Sequence, residues 1–275
     1  MQPNYRFQLL APAQAPSGWA LSRSRTNEQL YRQHLASMQA LRGRVYLKDG
    51  AIQPWELDEQ GRFPMRGDEQ NWHFLLIDDK EETIGCARYL VHPNNVAFEN
   101  LRVAHSPVIR MPRWGERVRR AVEADLERAR AENLSYVEVG GWALSEQWRG
   151  TRAALEILVA SFALGQLWGG ALGSCMATVR HQSSSMLRRM GGSAFSIDGQ
   201  PIPPYEDPNY GCTMELLRFD SRSPAKRFLP VINQLRMKVA NTPVIRGVRK
   251  HVWGTRRADA LPELLPWMQM APASY

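Results

Sequence analysis

The chain has 275 residues, with 44% hydrophobic residues, 35 Lys and Arg against 27 Asp and Glu, and a formal charge of +8. That apolar content suffices for a full core in one large domain or two small ones and excludes general disorder. The charge is uneven: residues 218–257 hold eleven Lys and Arg and a single acid, Asp220, so this block carries +10 and the remainder −2.

The opening stretch, MQPNYRFQLLAPAQAPSGW, lacks the charged start and unbroken apolar run of a secretory signal. Export is not expected, and residues 1–25, punctuated by Pro and Ser, are expected to be loosely held. From Thr26, Leu30, Leu35, Met38, Leu41 and Val45 recur at helical spacing behind a capping Thr26 or Asn27, and the helix ends near Lys48-Asp49-Gly50. Residues 51–71 read as loop. WHFLLID at 72–78 and TIGCARYLV at 83–91 then read as an antiparallel hairpin. Residues 113–132 form a charged amphipathic helix with Val118, Val122, Leu126 and Ala129 on one face.

A strand is expected at 135–144, a helix from about Arg149 to Trp168, a buried strand at 171–179, and a short helix in SSMLRRMGG ended by glycine. Two further strands follow near 194–198 and 211–219. The apolar run from Ile157 to Val179 is long enough to span a membrane, but Gly165, Gly169, Gly170 and Gly173 divide it into a helix followed by a core strand. Cys86, Cys175 and Cys212 stand 89 and 37 positions apart, without zinc or redox spacing, as buried thiols of a reducing cytoplasm do. The six histidines are scattered and imply no metal site. Ser183, Ser184 and Ser185 carry no nucleophile elbow.

The stretch VEVGGWALSEQWRGTRAALEIL leads a strand through Arg149, Gly150, Thr151 and Arg152 into a helix. A helix N-terminus offers unpaired N–H groups and a positive dipole end, and so seats a phosphate. Here the residues resemble the GNAT acyltransferase superfamily, whose cofactor loop reads Gln/Arg-x-x-Gly-x-Gly/Ala. Arg149 and Ala154 take the outer places, and Arg152 replaces the middle glycine, a departure expected to offer a second charged contact to the single phosphate of a carrier-protein phosphopantetheine.

The resemblance extends over residues 26–220 to the autoinducer (acyl-homoserine-lactone) synthases of quorum sensing, the long-chain N-acyl amino acid synthases and the exosortase-associated acyltransferases. Arg42-Gly-Arg-Val-Tyr46 is similar to their Arg-x-x-x-Phe, and Trp55 lies near the place of their acceptor-pocket tryptophan. Asp68-Glu-Gln-Asn71 is similar to their Asp-x-x-Asp, Gly85-Cys-Ala-Arg88 to Gly-x-x-Arg, and Glu138-Val-Gly-Gly-Trp142 to Glu-x-Ser-Arg-Phe. Asn71 replaces the second aspartate and Gly141 the arginine.

The resemblance implies an α/β, GNAT-like three-layer fold, a mixed central sheet with flanking helices, over 26–220, with 221–275 as a basic C-terminal extension. It implies transfer of a fatty acyl group from an acyl carrier protein or acyl-CoA thioester to a small amine, with no tightly bound cofactor and a cytoplasmic location. Its first acceptor is S-adenosylmethionine; an amino acid is the alternative that Asn71 and Gly141 keep open. Glu138 is the candidate base, its pKa expected to rise in an apolar cleft. Arg42, Trp55, Asp68 and Arg88 are acceptor-binding candidates, and Arg149, Gly150, Thr151 and Arg152 hold the phosphopantetheine. Trp142, Leu158, Phe162, Val179 and Met186 form an acyl pocket.

The basic block mixes Arg246, Arg249 and Lys250 with apolar residues, as a docking surface for an acidic carrier protein or an anionic membrane does. It carries no recognised nucleic-acid motif, so nucleic acid ranks last. A catalytically inactive module that docks through this block is the reading from another class.

Overall fold

The computed structural model describes residues 4–13, 15, 24–93, 95–180 and 182–248. In chain order the elements are β1 (Tyr5–Ala11), β2 (Ser24–Thr26), α1 (Glu28–Lys48), β3 (Trp72–Asp78), β4 (Thr83–His92), α2 (Gly115–Ala131), β5 (Ser135–Leu144) and α3 (Arg152–Leu167). There follow β6 (Ala171–Thr178), α4 (Ser183–Met190), β7 (Ser193–Ala194), β8 (Ser196–Ile197), β9 (Gln200–Pro201), β10 (Tyr205–Asp207), β11 (Cys212–Asp220), α5 (Leu229–Ala240) and β12 (Val244–Arg246). The hairpin, the long helices and the strand after each fall where hydrophobic periodicity puts them. Asn27 caps α1 by accepting from Leu30 N, and Gly191 ends α4. No helix among the described residues is long and apolar enough to cross a membrane.

Ten strands make one mixed sheet whose main path runs β10-β11-β6-β5-β4-β3-β1-β12-β2, with β7 pairing β11. The pairs β5–β6, β1–β12 and β12–β2 are parallel, and the others are antiparallel. One face is covered by α3, α4 and α5, through a core that includes Ile157, Phe162, Leu187, Ile232 and Leu235. On the opposite face α2 packs over Tyr136, Leu172 and Leu216, and α1 over Leu75, Ile77 and Cys86. The result is the three-layer α/β arrangement expected.

Two boundaries differ from expectation. Within the segment expected to be loose, Tyr5–Ala11 is an interior strand: it pairs antiparallel with β3 from Tyr5↔Asp78 to Leu10↔His73, and Leu9 and Leu10 are fully buried. At the other end, the chain beyond 220 is no separate extension. Ser221 Oγ accepts from Ala171 N, α5 packs on α3, and β12 lies between β1 and β2. Both misreadings have one cause: Val244, Ile245 and Leu9 form a short apolar set that is assembled from the two chain ends and has no local periodicity.

Candidate active site

Two strand irregularities shape the centre of the sheet. Arg88 stands opposite Gly140 and Cys86 opposite Ala143, so Gly141 and Trp142 together face Ala87 in a β-bulge. Gly141 has φ of 64°, and a Cβ there would lie 3.2 Å from Arg88 Cβ. Both facts favour glycine at this point. Next to the bulge, β5 pairs with β6 from Ser135↔Ala171 to Val139↔Cys175, while β6 stays paired with β11 up to Thr178. Beyond Val139 the two parallel strands therefore part.

A cavity of about 10 Å³ at the parting is lined by Val139, Trp142, Phe162, Cys175 and Leu187, among others. Trp142 and Phe162, two of the acyl-pocket candidates, thus line one cavity. Leu158 packs, half-buried, on the same core. Val179 does not join them: it lies just past β6, 41% exposed. Met186 is half-buried and its neighbour Leu187 takes the lining place, because Leu187 and Met190 are the apolar residues that α4 turns to the core.

Arg149, Gly150 and Thr151 form the turn into α3, with Thr151 as its N-cap. Gly150 takes φ of 73°, and Thr151 Oγ1 caps the helix by accepting from Ala153 N at 3.2 Å. The flanking arginines carry protein partners. Arg149 Nη2 lies 3.2 Å from Asp49 Oδ2, and Arg152 Nε lies 3.0 Å from Glu156 Oε1, with Arg152 Nη2 donating to Gln234 Oε1. Both guanidiniums are solvent-facing, so the Arg149–Asp49 pair is weak and exchangeable, whereas Arg152 pairs with a buried carboxylate that Tyr5 and Lys238 also contact.

Beneath α1, Arg42, Asp68 and Arg88 come together. Arg42 donates through both terminal nitrogens to Asp68, the Nη1–Oδ1 distance being 2.9 Å, and to Phe63 O at 2.8 Å. Gln39 Nε2 and Met65 N each reach Asp68 Oδ2 at 3.0 Å. Burial pushes the Asp68 carboxyl up, but the bound Arg42 guanidinium overrides this and holds it at about 2. His73, paired across the hairpin with Arg88, bonds Asp68 O through Nε2 at 2.8 Å, and burial lowers its pKa to about 4. The imidazole is neutral, with Nε2 as the donor. Arg88 is buried, and its pKa is lowered to about 9 by burial and then by repulsion from Arg102 and Arg42.

Glu138 occupies the same face, but not as a base with a raised pKa. Burial would raise it, yet His92 Nε2 at 2.9 Å, Arg102 N at 2.9 Å and Val103 N at 3.1 Å all meet its carboxylate, and its pKa is lowered. Three donors favour the ionised form over the neutral one. Glu138 thereby anchors the turn at Arg102–His105 to the sheet. His92 and Arg102 were not singled out from sequence. The signal for His92 was strand alternation, since residues 88, 90 and 92 share the face that Glu138 occupies opposite Leu90.

Trp55 does not enter the cluster: it sits on the turn Pro54–Glu56 and is 78% exposed. Of the docking candidates, Arg246 is half-buried in β12 and donates to Ala15 O at 3.3 Å, a sheet position rather than a free surface. Arg249 and Lys250 lie outside the described residues.

No family model matches the chain, and no curated protein matches it. Among solved structures, the CoA-dependent acyl-homoserine lactone synthase BjaI, determined with SAM and isopentyl-CoA, matches at a TM-score of 0.50 and 12% identity, over 90% of this chain and 95% of that one. FeeM, an N-acyl amino acid synthase from uncultured soil microbes, matches at 0.48 and 12%, over 80% and 93%. The acyl-homoserine lactone synthase LasI matches at 0.48 and 13%, over 80% and 91%. At 12% identity the likeness to BjaI is one of fold, and the fold is GNAT-like.

Proposed function

We propose that the chain is an N-acyltransferase, moving a fatty acyl group from the thioester of an acyl carrier protein or of coenzyme A to the amine of a small acceptor. The observation that carries this is the parting of β5 and β6 beyond Val139 and Cys175, next to the bulge at Gly141 and above the capped start of α3. A thioester laid between the strands has its phosphate end at Arg149–Arg152 and its acyl end against Trp142, Phe162 and Leu187. The amine attacks the thioester carbonyl, the C–N bond forms, the C–S bond breaks, and the thiol leaves with the proton that the amine gives up. Because three donors hold the Glu138 carboxylate ionised, its role in this scheme is to position the turn at Arg102, and the amine passes its proton to the leaving thiolate through water. BjaI, whose fold the chain shares, is a CoA-dependent acyl-homoserine lactone synthase solved with isopentyl-CoA, which supports a donor carried on coenzyme A.

The test is to incubate pure protein with acyl-CoA and acyl carrier protein thioesters of several chain lengths, plus SAM or amino acids, and to follow thiol release and acylated amines by mass spectrometry. An N-acylated product is expected. Replacing both Arg149 and Arg152 by Ala should raise KM for acyl-CoA by tenfold or more while leaving KM for the matching N-acetylcysteamine thioester, which has no phosphate, within twofold. No product with any donor sinks the reading, and equal KM losses with both thioesters remove the phosphate role.

A further inference from the structure

Arg88 is 4% exposed, and among the described residues its Nε has no hydrogen-bond partner. Its Nη1 donates to Met65 Sδ at 3.7 Å, a thioether and a weak acceptor. A guanidinium withdrawn from water needs an anion or several carbonyls in exchange. The neighbouring groups do not supply one. Arg42 and Arg102 repel it, and Tyr46 is a neutral phenol. The attracting carboxylate, Asp68, is taken by Arg42, Gln39 and Met65 N. Glu138 is taken by His92 and the backbone of Arg102 and Val103.

The guanidinium also connects two places. On one side it lies over the β5 bulge: a Cβ built on Gly140 would be 3.7 Å from Arg88 Nη2, and one built on Gly141 would be 3.9 Å from Nε. On the other side Met65 separates it from a cavity of about 430 Å³ between α1 and residues 62–70, lined by Leu35, Gln39, Met65 and Asp68, among others. Methionine is unbranched and turns aside readily.

Resting on the acyl-transfer reading for what counts as the acceptor, we infer that Arg88 receives the carboxylate of the amine acceptor, which enters through this cavity by displacing the Met65 side chain. The acceptor is then of the amino acid class. A sulfonium would add positive charge beside Arg42, Arg88 and Arg102, where both buried carboxylates are already engaged and Asn71 brings only an amide.

The test is calorimetric titration of glycine, leucine, phenylalanine and aspartate, each against its α-carboxamide, with SAM and acetate alongside, into wild type, Arg88→Met, Arg88→Lys and Met65→Ala. At least one amino acid is expected to bind tenfold or more tightly than its amide, with acetate weaker still. Arg88→Met should erase that preference, Arg88→Lys restore part of it, and Met65→Ala tighten binding several-fold. Arg88→Met should also melt at or above the wild-type temperature, since an unpaired buried charge is lost, whereas a structurally paired arginine would lower it.

Equal binding of acid and amide, tighter binding of SAM than of every amino acid, acetate binding as tight as the best amino acid, or a large fall in the Arg88→Met melting temperature would each overturn the inference. Acid-over-amide binding without any acyl transfer would leave this carboxylate site standing and remove the acyl-transfer reading. Acyl transfer to amines with and without a carboxylate at equal kcat/KM would do the reverse.

Discussion

At the residue scale, the buried polar cluster under α1 is where charge decides behaviour. His73 is fully buried and neutral, with its pKa lowered from 6.5 to about 4. In the unfolded chain it takes up a proton below about 6.5, so its contribution to stability is present above that pH and is lost as pH falls toward 4. At about 1.4 kcal/mol per pH unit, the ceiling is on the order of 3 kcal/mol. Asp68, held at about 2 against an ordinary 3.8, adds a further loss below about pH 4. Thermal melts between pH 7 and 4 should therefore show a falling midpoint, and His73→Gln should flatten that fall without abolishing it, because His34 is also lowered by burial. A pH profile identical in variant and wild type would remove His73 from this account. Of the cluster itself, Arg42, Asp68, Arg88 and Glu138 were legible as motif positions. That both carboxylates are engaged, and that Arg88 Nε is not, depends on partners up to 46 positions away and has no trace in local spacing.

At the element scale, the pairing of β5 with β6 depends on close approach. Gly173 on β6 lies so near its neighbours that an added Cβ would come within 2.5 Å of Val137 O and 2.7 Å of the Phe219 ring. The nearest atom is backbone in the adjacent strand and has little freedom to yield. Gly173→Ala should therefore destabilise by about 1–3 kcal/mol, the usual range for overpacking a core, read as a lower urea midpoint. Stability unchanged within about 0.5 kcal/mol, the ordinary range for a surface substitution, would show that the strands can slide apart at little cost. The elements themselves were largely readable: periodicity gave α1, α2, the β3–β4 hairpin, β5, α3 and β6 within a few residues. The bulge was not, since two consecutive glycines in a strand mark a kink without saying which partner residue they oppose.

At the scale of the whole molecule, the uneven charge takes on a different meaning. Arg218 pairs with Asp125, Arg222 with Glu132 and Lys238 with Glu156, so basic residues of the C-terminal block meet acids of the remainder. The imbalance between segments is partly the two halves of ion pairs across the fold. The same interlocking predicts the effect of truncation. Ending the chain after Asp220 removes α5, which buries Ile232, Leu235 and Val239, and removes β12 from between β1 and β2. It exposes the α3 face and leaves β1 with an unpaired edge. Residues 1–220 are expected to show no cooperative thermal transition by circular dichroism, and a sharp transition near the full-length midpoint would contradict this.

The sequence by itself determined the alternation of helices and strands, and the order of its short motifs pointed to a GNAT-like sheet. Those signals are local: helical and strand periodicities, caps and glycine stops act over a few residues. Only the tertiary structure decided that the two chain ends complete one sheet, that Glu138 is an ionised anchor held by three donors, and that Arg88 stands buried between a cavity and the parted strands. Each of these depends on contacts between residues far apart in the chain. Burial then sets the energy of a charge by what surrounds it rather than by what precedes it.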